Sequence, residues 1–279
     1  MKIINFKGLF VNENSKCYLP PENSKIKIRH LIITRFMMEF LDRKKFKKIM
    51  FTEDYIKNSI RVMKKYLFPS LENQSCKDFI WILEIGNDAD IDHIKSLLNF
   101  NKKFKSNYIY EKDLKNYVRD SSKGYDILIT TRIDYDDRIY YNAVNDARKQ
   151  IDINKPVFLH GYNKGLYYFE GLDKYSIFYV DNDKGFMSIF ISLIVNLKKV
   201  NDTINVYDLG LHSLVKKNLL EIYKSYGIKE INYDPGFADI SGNKFIWVRQ
   251  SYSGSFFKNK HYPKRKKLFD FNLTEFYGK

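Results

Sequence analysis

Apolar positions along the first half of the chain switch between two periods, and the switching sketches an architecture. Residues 27–36, KIRHLIITRF, are largely β-branched or apolar and predict a strand covered on both faces, as strands of parallel sheets are. Residues 52–67, TEDYIKNSIRVMKKYL, open on a threonine and an acidic first turn. They then place Ile56, Ile60, Val62, Met63 and Leu67 near helical period, which predicts a helix. DFIWILEIG at 78–86 predicts a second buried strand, and Ile91, Ile94, Leu97 and Leu98 predict the helix after it. SNYIYEKD at 106–113 reads as a shorter third strand, then a helix or loop, and DILITTRI at 126–133 as a fourth strand. Strands alternating with helices predict an α/β protein with a mixed, mostly parallel central sheet.

Downstream the pattern is less regular. IYYNAVNDARKQI (139–151) reads as a helix, and VFLHGYNKGLYYFE (157–170) with YSIFYVDND (175–183) reads as a hairpin closed at the NKG turn. VYDLGLHSLVKKNLLEIYKSYG (206–227) predicts one helix ended by Gly227, and NKFIWVRQSY (243–252) a last strand. The longest apolar run, GFMSIFISLIVNL at 185–197, has the length of a core helix and falls short of the 18 residues of a membrane span. The start, MKIINFKGLF, is too short and interrupted for a signal peptide, so the expectation is a soluble protein.

Composition narrows the chemistry. A chain of 279 residues with 44% hydrophobic residues can bury a substantial core, and neither repeats nor low-complexity linkers divide it. Forty-eight Lys and Arg against thirty-three Asp and Glu give +15, which favours phosphate-bearing partners: nucleic acid, anionic lipid or a phosphorylated small ligand. Basic runs such as KNKHYPKRKK (258–267) read first as solvated faces. Cys17 and Cys76 lie far apart without C-x-x-C spacing, so no disulfide framework or zinc site is expected and a cytoplasmic location is the simplest.

Against that charge, the fourth strand ends in DYDD, with Asp134, Asp136 and Asp137. Ligands of parallel α/β sheets bind beyond the carboxyl ends of the strands, where this cluster falls. In an extended exit the D-x-D spacing puts Asp134 and Asp136 on one side, and their mutual repulsion is relieved by a divalent cation such as Mn²⁺ or Mg²⁺. The competing reading is an acidic turn that caps a helix beginning near Ile139. The Thr-Thr-Arg lead-in could turn its hydroxyls and the Arg132 guanidinium toward the same pocket.

ILITTRIDYDDRI, with RHLIITRF (29–36), LFPSLENQSCKDFIWIL (67–83) and FIWVRQSYSG (245–254), resembles the putative rhamnosyltransferase family, a branch of the nucleotide-sugar glycosyltransferases of GT-A fold. The resemblance implies one GT-A-like domain over 1–279, with a nucleotide-sugar-binding half at about 27–137, an acceptor half at about 138–255 and a basic tail at 256–279. It implies a nucleoside-diphosphate sugar donor, carrying rhamnose or another hexose, and a glycan or glycolipid acceptor in an inverting transfer, as in polysaccharide biosynthesis. Asp136 and Asp137 are implied as metal ligands with Asp134 nearer the ribose or base. His212 is implied as a further ligand, and Thr34, Arg35 and Arg132 as donor contacts. The general base is implied after the D-x-D, among Glu170, Asp181, Asp183 and Asp239, with Asp181 or Asp183 favoured. The basic tail leaves peripheral contact with an anionic membrane open at its inner face. A reading of another class is a non-catalytic module for nucleic acid or an anionic surface, resting on aromatics interleaved with lysine near 256–262. Such a module has no use for a D-x-D, and no nucleic-acid partner is expected.

Overall fold

A computed structural model describes residues 17–18, 25–38, 51–99, 103–162, 164–169, 174–179, 190–210, 214–226, 236–237 and 245–249. In chain order the elements begin with β1 (Ile28–Phe36), α1 (Glu53–Lys65), α2 (Leu67–Glu72), β2 (Ile80–Ile85), α3 (Ile91–Leu97), β3 (Lys105–Tyr110), α4 (Glu111–Ser122) and β4 (Ile127–Arg132). There follow β5 (Arg138–Ile139), α5 (Ala143–Lys149), β6 (Val157–Gly161), β7 (Lys164–Phe169), β8 (Lys174–Tyr179) and β9 (Ile191–Asn196). A 3₁₀ turn (Val206–Leu209), α6 (Val215–Ser225), β10 (Gly236–Phe237) and β11 (Phe245–Arg249) complete the order.

Local chemistry sets the first helix as its sequence suggests. The Thr52 side chain caps α1 by accepting from the Tyr55 amide, Glu53 and Asp54 sit in the first turn, and Lys64 and Lys65 in the last, each complementing the helix dipole. Ile56, Ile60 and Met63 then form its buried stripe.

Among the described residues seven strands form one sheet in the order β10-β6-β9-β4-β1-β2-β3. β1 pairs in parallel with β2 and β4, and β2 with β3, while β9 runs antiparallel between β4 and β6. On one face Ile32, Phe36, Trp81 and Leu83 cluster with Ile60, Met63 and Leu67. On the other Leu31, Ile33, Ile82 and Leu128 cluster with Leu114, Val118, Tyr207 and Leu219. Each such side chain withdrawn from water contributes about 1.5–3 kcal/mol, which is why helices cover both sides. A second sheet has the order β5-β11-β7-β8. No helix among the described residues is long and apolar enough to cross a membrane.

Several expectations are corrected. Residues 191–196 of the supposed core helix form β9, buried at every position. The NKG segment does not close a hairpin: β6 belongs to the large sheet, and β7 pairs with β8 and β11 in the other. The 206–227 helix is split, because Gly210 at φ 72° leaves the right-handed helical region. The helix placed at 139–151 shortens to α5, and 138–139 become β5. Cys17 and Cys76 are joined in a disulfide, which removes the cysteine-based argument for a reducing cytoplasm.

The interior also holds a polar chain. His30 Nε2 lies 2.7 Å from Thr131 Oγ1, which lies 2.7 Å from Ser192 Oγ. Burial, then the charges of Arg148 and His160, depress the His30 pKa well below its usual 6.5. The unfolded histidine takes up a proton below 6.5 and the folded one does not, so this contribution is complete above pH 6.5 and lost as pH falls. The expected slope is about 1.4 kcal/mol per pH unit below 6.5, until the folded pKa is reached. Urea unfolding from pH 7 to 5.5 should show this slope in the wild type and its absence in His30→Gln; identical pH dependence in both refutes it.

Candidate active site

The carboxyl ends of β1, β2 and β4 converge where the strand order reverses. From β1 the chain builds outward through β2 and β3, then returns to place β4 on the other side. In doubly wound sheets that reversal opens the ligand crevice. Arg35 and Arg132 stand at the ends of the two strands that flank it. Side-chain alternation carries Leu31, Ile33 and Arg35 to the same face as Leu128, Thr130 and Arg132.

Both arginines meet at Tyr207. The Arg35 guanidinium lies 3.8 Å from the ring centroid and that of Arg132 5.3 Å. The Tyr207 hydroxyl donates to the Ile33 carbonyl at 3.3 Å. Its 3₁₀ turn is fixed by a capping box between Asn205 and Asp208, and Thr130 Oγ1 accepts from the Val206 amide at 2.8 Å. Burial keeps the phenol protonated, against the pull of Arg132 and with the Asp134 carboxylate adding to the effect.

The two arginines are held differently. Arg35 Nε donates to Glu84 Oε2 at 2.9 Å, with Glu84 1% exposed. Burial works against the Arg35 charge, yet Tyr207 and Glu84 outweigh it and raise its pKa, whereas burial raises the Glu84 carboxyl against the opposing Arg35. Arg132 Nη1 donates to the Gly210 carbonyl at 3.3 Å, and its Nε is buried without a hydrogen-bond partner among the described residues. An unsatisfied buried donor costs about 1–3 kcal/mol, more when charged. A guanidinium fork left in this condition at a strand end suits a phosphate oxygen.

The acidic segment is a turn, closed by the Asp137 amide donating to the Asp134 carbonyl at 3.2 Å. The extended exit that would align Asp134 with Asp136 is therefore absent. Asp134 lies toward Tyr207. The charge of Asp136 acts on Tyr135 and Tyr55, whose hydroxyls are 3.3 Å apart, and Asp137 is fully buried. The turn does not cap a helix either, since α5 starts only at Ala143. Among the described residues no group of three His, Cys, Asp or Glu side chains could hold a metal ion.

The remaining expectations divide. Thr34 is wholly buried and accepts from Trp81 Nε1 at 3.0 Å, so its hydroxyl is spent in the core beneath the site. Asp181, Asp183 and His212 lie outside the described residues, as do Glu170 and Asp239. Gln74 is a clamp: its amide donates to the Ser70 and Tyr140 carbonyls and accepts from the Val144 amide, pinning the segment after the acidic turn. Tyr207 and Glu84 were not singled out by sequence; only the end-of-strand position of Glu84 could have signalled it.

Backbone geometry at the rim is also specialised. Met37 adopts φ 56°, unusual for a residue with a side chain. Gly86 permits this close approach, since a Cβ there would lie 2.1 Å from the Met37 carbonyl oxygen.

The fold is a mixed, mostly parallel sheet flanked by helices, with cationic side chains at its reversal point. The chain belongs to the family described as "Putative rhamnosyl transferase", which matches residues 31–215. Among solved structures it is similar to HddC from Yersinia pseudotuberculosis, at 13% identity and TM-score 0.36, over 71% of this chain and 99% of that one. A "putative nucleotide-diphospho-sugar transferase" from Desulfovibrio desulfuricans G20 aligns at 10% identity and TM-score 0.34, covering 72% of this chain and 77% of the other. Mouse xyloside xylosyltransferase 1 aligns at 14% identity and TM-score 0.33, covering 72% and 76%. No curated protein matches in sequence.

Proposed function

We propose that the protein transfers a sugar, rhamnose or another hexose, from a nucleoside-diphosphate donor to a hydroxyl of a glycan or glycolipid acceptor. The carrying observation is the pair Arg35 and Arg132 at the reversal point, with a buried Arg132 donor unspent. Charge grows on the diphosphate as the glycosidic bond breaks, and a guanidinium already in place stabilises that charge without reorganising. Tyr207 holds both guanidiniums over one ring, and Glu84 fixes Arg35.

The reading includes a divalent ion, Mn²⁺ or Mg²⁺. Hard cations at phosphates are commonly bound through one or two protein carboxylates, the substrate giving further oxygens. Asp136, half-buried, is the carboxylate that would hold it in this reading, with Asp134 nearer the ribose or base. Such an ion supplies Lewis-acid stabilisation of the leaving diphosphate. Residues 27–137 form the donor half in this reading and 138–255 the acceptor half. Asp181 or Asp183 is the proposed base that takes the acceptor proton in an inverting attack.

A thermal-shift comparison of UDP-, GDP- and dTDP-sugars, with and without Mn²⁺, tests the reading. A donor present at one hundred times its Kd adds about 2.7 kcal/mol to stability. One nucleotide should stabilise the wild type in a Mn²⁺-dependent manner, and Asp136→Ala should lose the Mn²⁺-dependent part. Undiminished Mn²⁺ dependence in Asp136→Ala refutes the metal assignment. Stabilisation by oligonucleotides alone refutes the transferase.

A further inference from the structure

At the opposite, amino-terminal end of the large sheet lies a cavity of about 650 Å³ with a charged lining. It is bounded by Lys27 ahead of β1, Asp78 ahead of β2, Lys123, Gly124 and Tyr125 ahead of β4, and Arg148 of α5. The eight residue steps from Lys27 to Arg35 put it about 25 Å from the arginine pair, at roughly 3.3 Å per strand residue.

Arg148 makes this cavity unusual. Its side chain is 1% exposed, and it pairs with Asp78, whose side chain is 61% exposed. Nη2 alone makes the described hydrogen bonds, to the Asp78 carbonyl and to Oδ2, both at 2.7 Å. Nε is buried without a partner among the described residues. A guanidinium carries five N–H donors, and a buried cation is tolerated when its charge is matched and its donors are engaged. One largely solvated carboxylate that takes one hydrogen bond, beside a backbone carbonyl that takes another, does neither fully.

The surroundings add positive charge. Lys27 and Lys123 are exposed at the rim, where Lys123 Nζ pairs with Asp120 Oδ1 at 2.9 Å and Lys27 lies beside Asp126. The guanidinium donors that Asp78 leaves unmet suit an oxyanion with several acceptor oxygens, and a phosphate offers more of them than one carboxylate. Gly124, at φ 78°, has open space where a side chain would stand, which leaves that side of the cavity clear.

We propose that this cavity binds the phosphoryl group of a small ligand, at a second site independent of the donor crevice. Arg148 supplies the buried guanidinium and the two lysines the rim charge. Because the sites lie at opposite ends of β1, a ligand here leaves the donor crevice open.

The test is isothermal titration of the full chain with inorganic phosphate at fixed ionic strength, in three proteins. Arg132→Ala removes the donor-crevice contribution and should keep binding phosphate. Lys27→Glu/Lys123→Glu, placed in that same Arg132→Ala background, should weaken binding at least tenfold; both changes are at exposed positions. Retained affinity in the triple variant overturns the proposal, and so does loss of all binding in Arg132→Ala alone. Malonate titrated into Arg132→Ala separates the two oxyanion classes: weaker binding than phosphate supports the phosphoryl assignment, and equal or tighter binding overturns it.

Discussion

Arg132→Ala should lower kcat/KM for the proposed sugar transfer by about 10²- to 10³-fold while leaving the melting temperature within a few degrees of the wild type. The magnitude is that of deleting one charged donor aimed at a developing oxyanion. The small stability effect follows from how Arg132 is held. It spends a single described hydrogen bond, to the Gly210 carbonyl, and carries a buried Nε that nothing described satisfies. Removing it relieves an unmet donor as well as deleting a contact. Arg35→Ala should behave differently, because it strands the nearly buried Glu84 carboxylate and so costs stability along with activity. Steady-state kinetics with the donor found in the binding screen, together with thermal melts of both variants, check this contrast. Wild-type turnover in Arg132→Ala contradicts the diphosphate assignment.

Those two arginines could be found in the sequence because strand ends are legible there. β1, β2 and β4 are short apolar runs bounded by polar residues, and a parallel sheet puts its ligands beyond their last residues. Tyr207 could not be found that way. It reaches the site from a 3₁₀ turn 174 positions beyond Ile33, inside a stretch whose apolar spacing also fits one continuous helix. The glycine that breaks that helix is a common residue, and only its positive φ reveals the break.

Residues 191–196 are ambiguous in sequence for a related reason. A continuous apolar run has no period, so it fits a buried helix and a strand buried on both faces equally well. Slotted antiparallel between β4 and β6, β9 is the second case. The acidic segment shows the limit for the site itself: composition gave the carboxylates, but their relative directions depend on a turn hydrogen bond between Asp137 and Asp134. D-x-D spacing aligns side chains only while the backbone stays extended.

Reduction of the Cys17–Cys76 disulfide should lower the unfolding free energy by about 4 kcal/mol, the chain-entropy value for a closed loop of this length. The two cysteines are 59 positions apart, and both are buried, at 2% and 0% exposure. Within that loop lie β1 and α1, so cutting the bond frees the unfolded state of a constraint that spans the first strand of the sheet. The bond also anchors a local network. Next to Cys17, the Tyr18 amide donates to Asn145 Oδ1 at 2.7 Å. Next to Cys76, the Ser75 amide donates to the Tyr141 carbonyl at 2.8 Å, and its hydroxyl donates to Asn142 Oδ1 at 2.6 Å. These contacts converge on residues 141–145, the same stretch that Gln74 pins behind the acidic turn. Urea unfolding of the wild type with and without dithiothreitol, and of Cys17→Ser/Cys76→Ser, should give two coincident destabilised curves and one stable one. Thiol titration of the denatured, unreduced wild type should find neither cysteine free. Superimposed oxidised and reduced curves, with both thiols titrating, would show that the pairing does not form in solution.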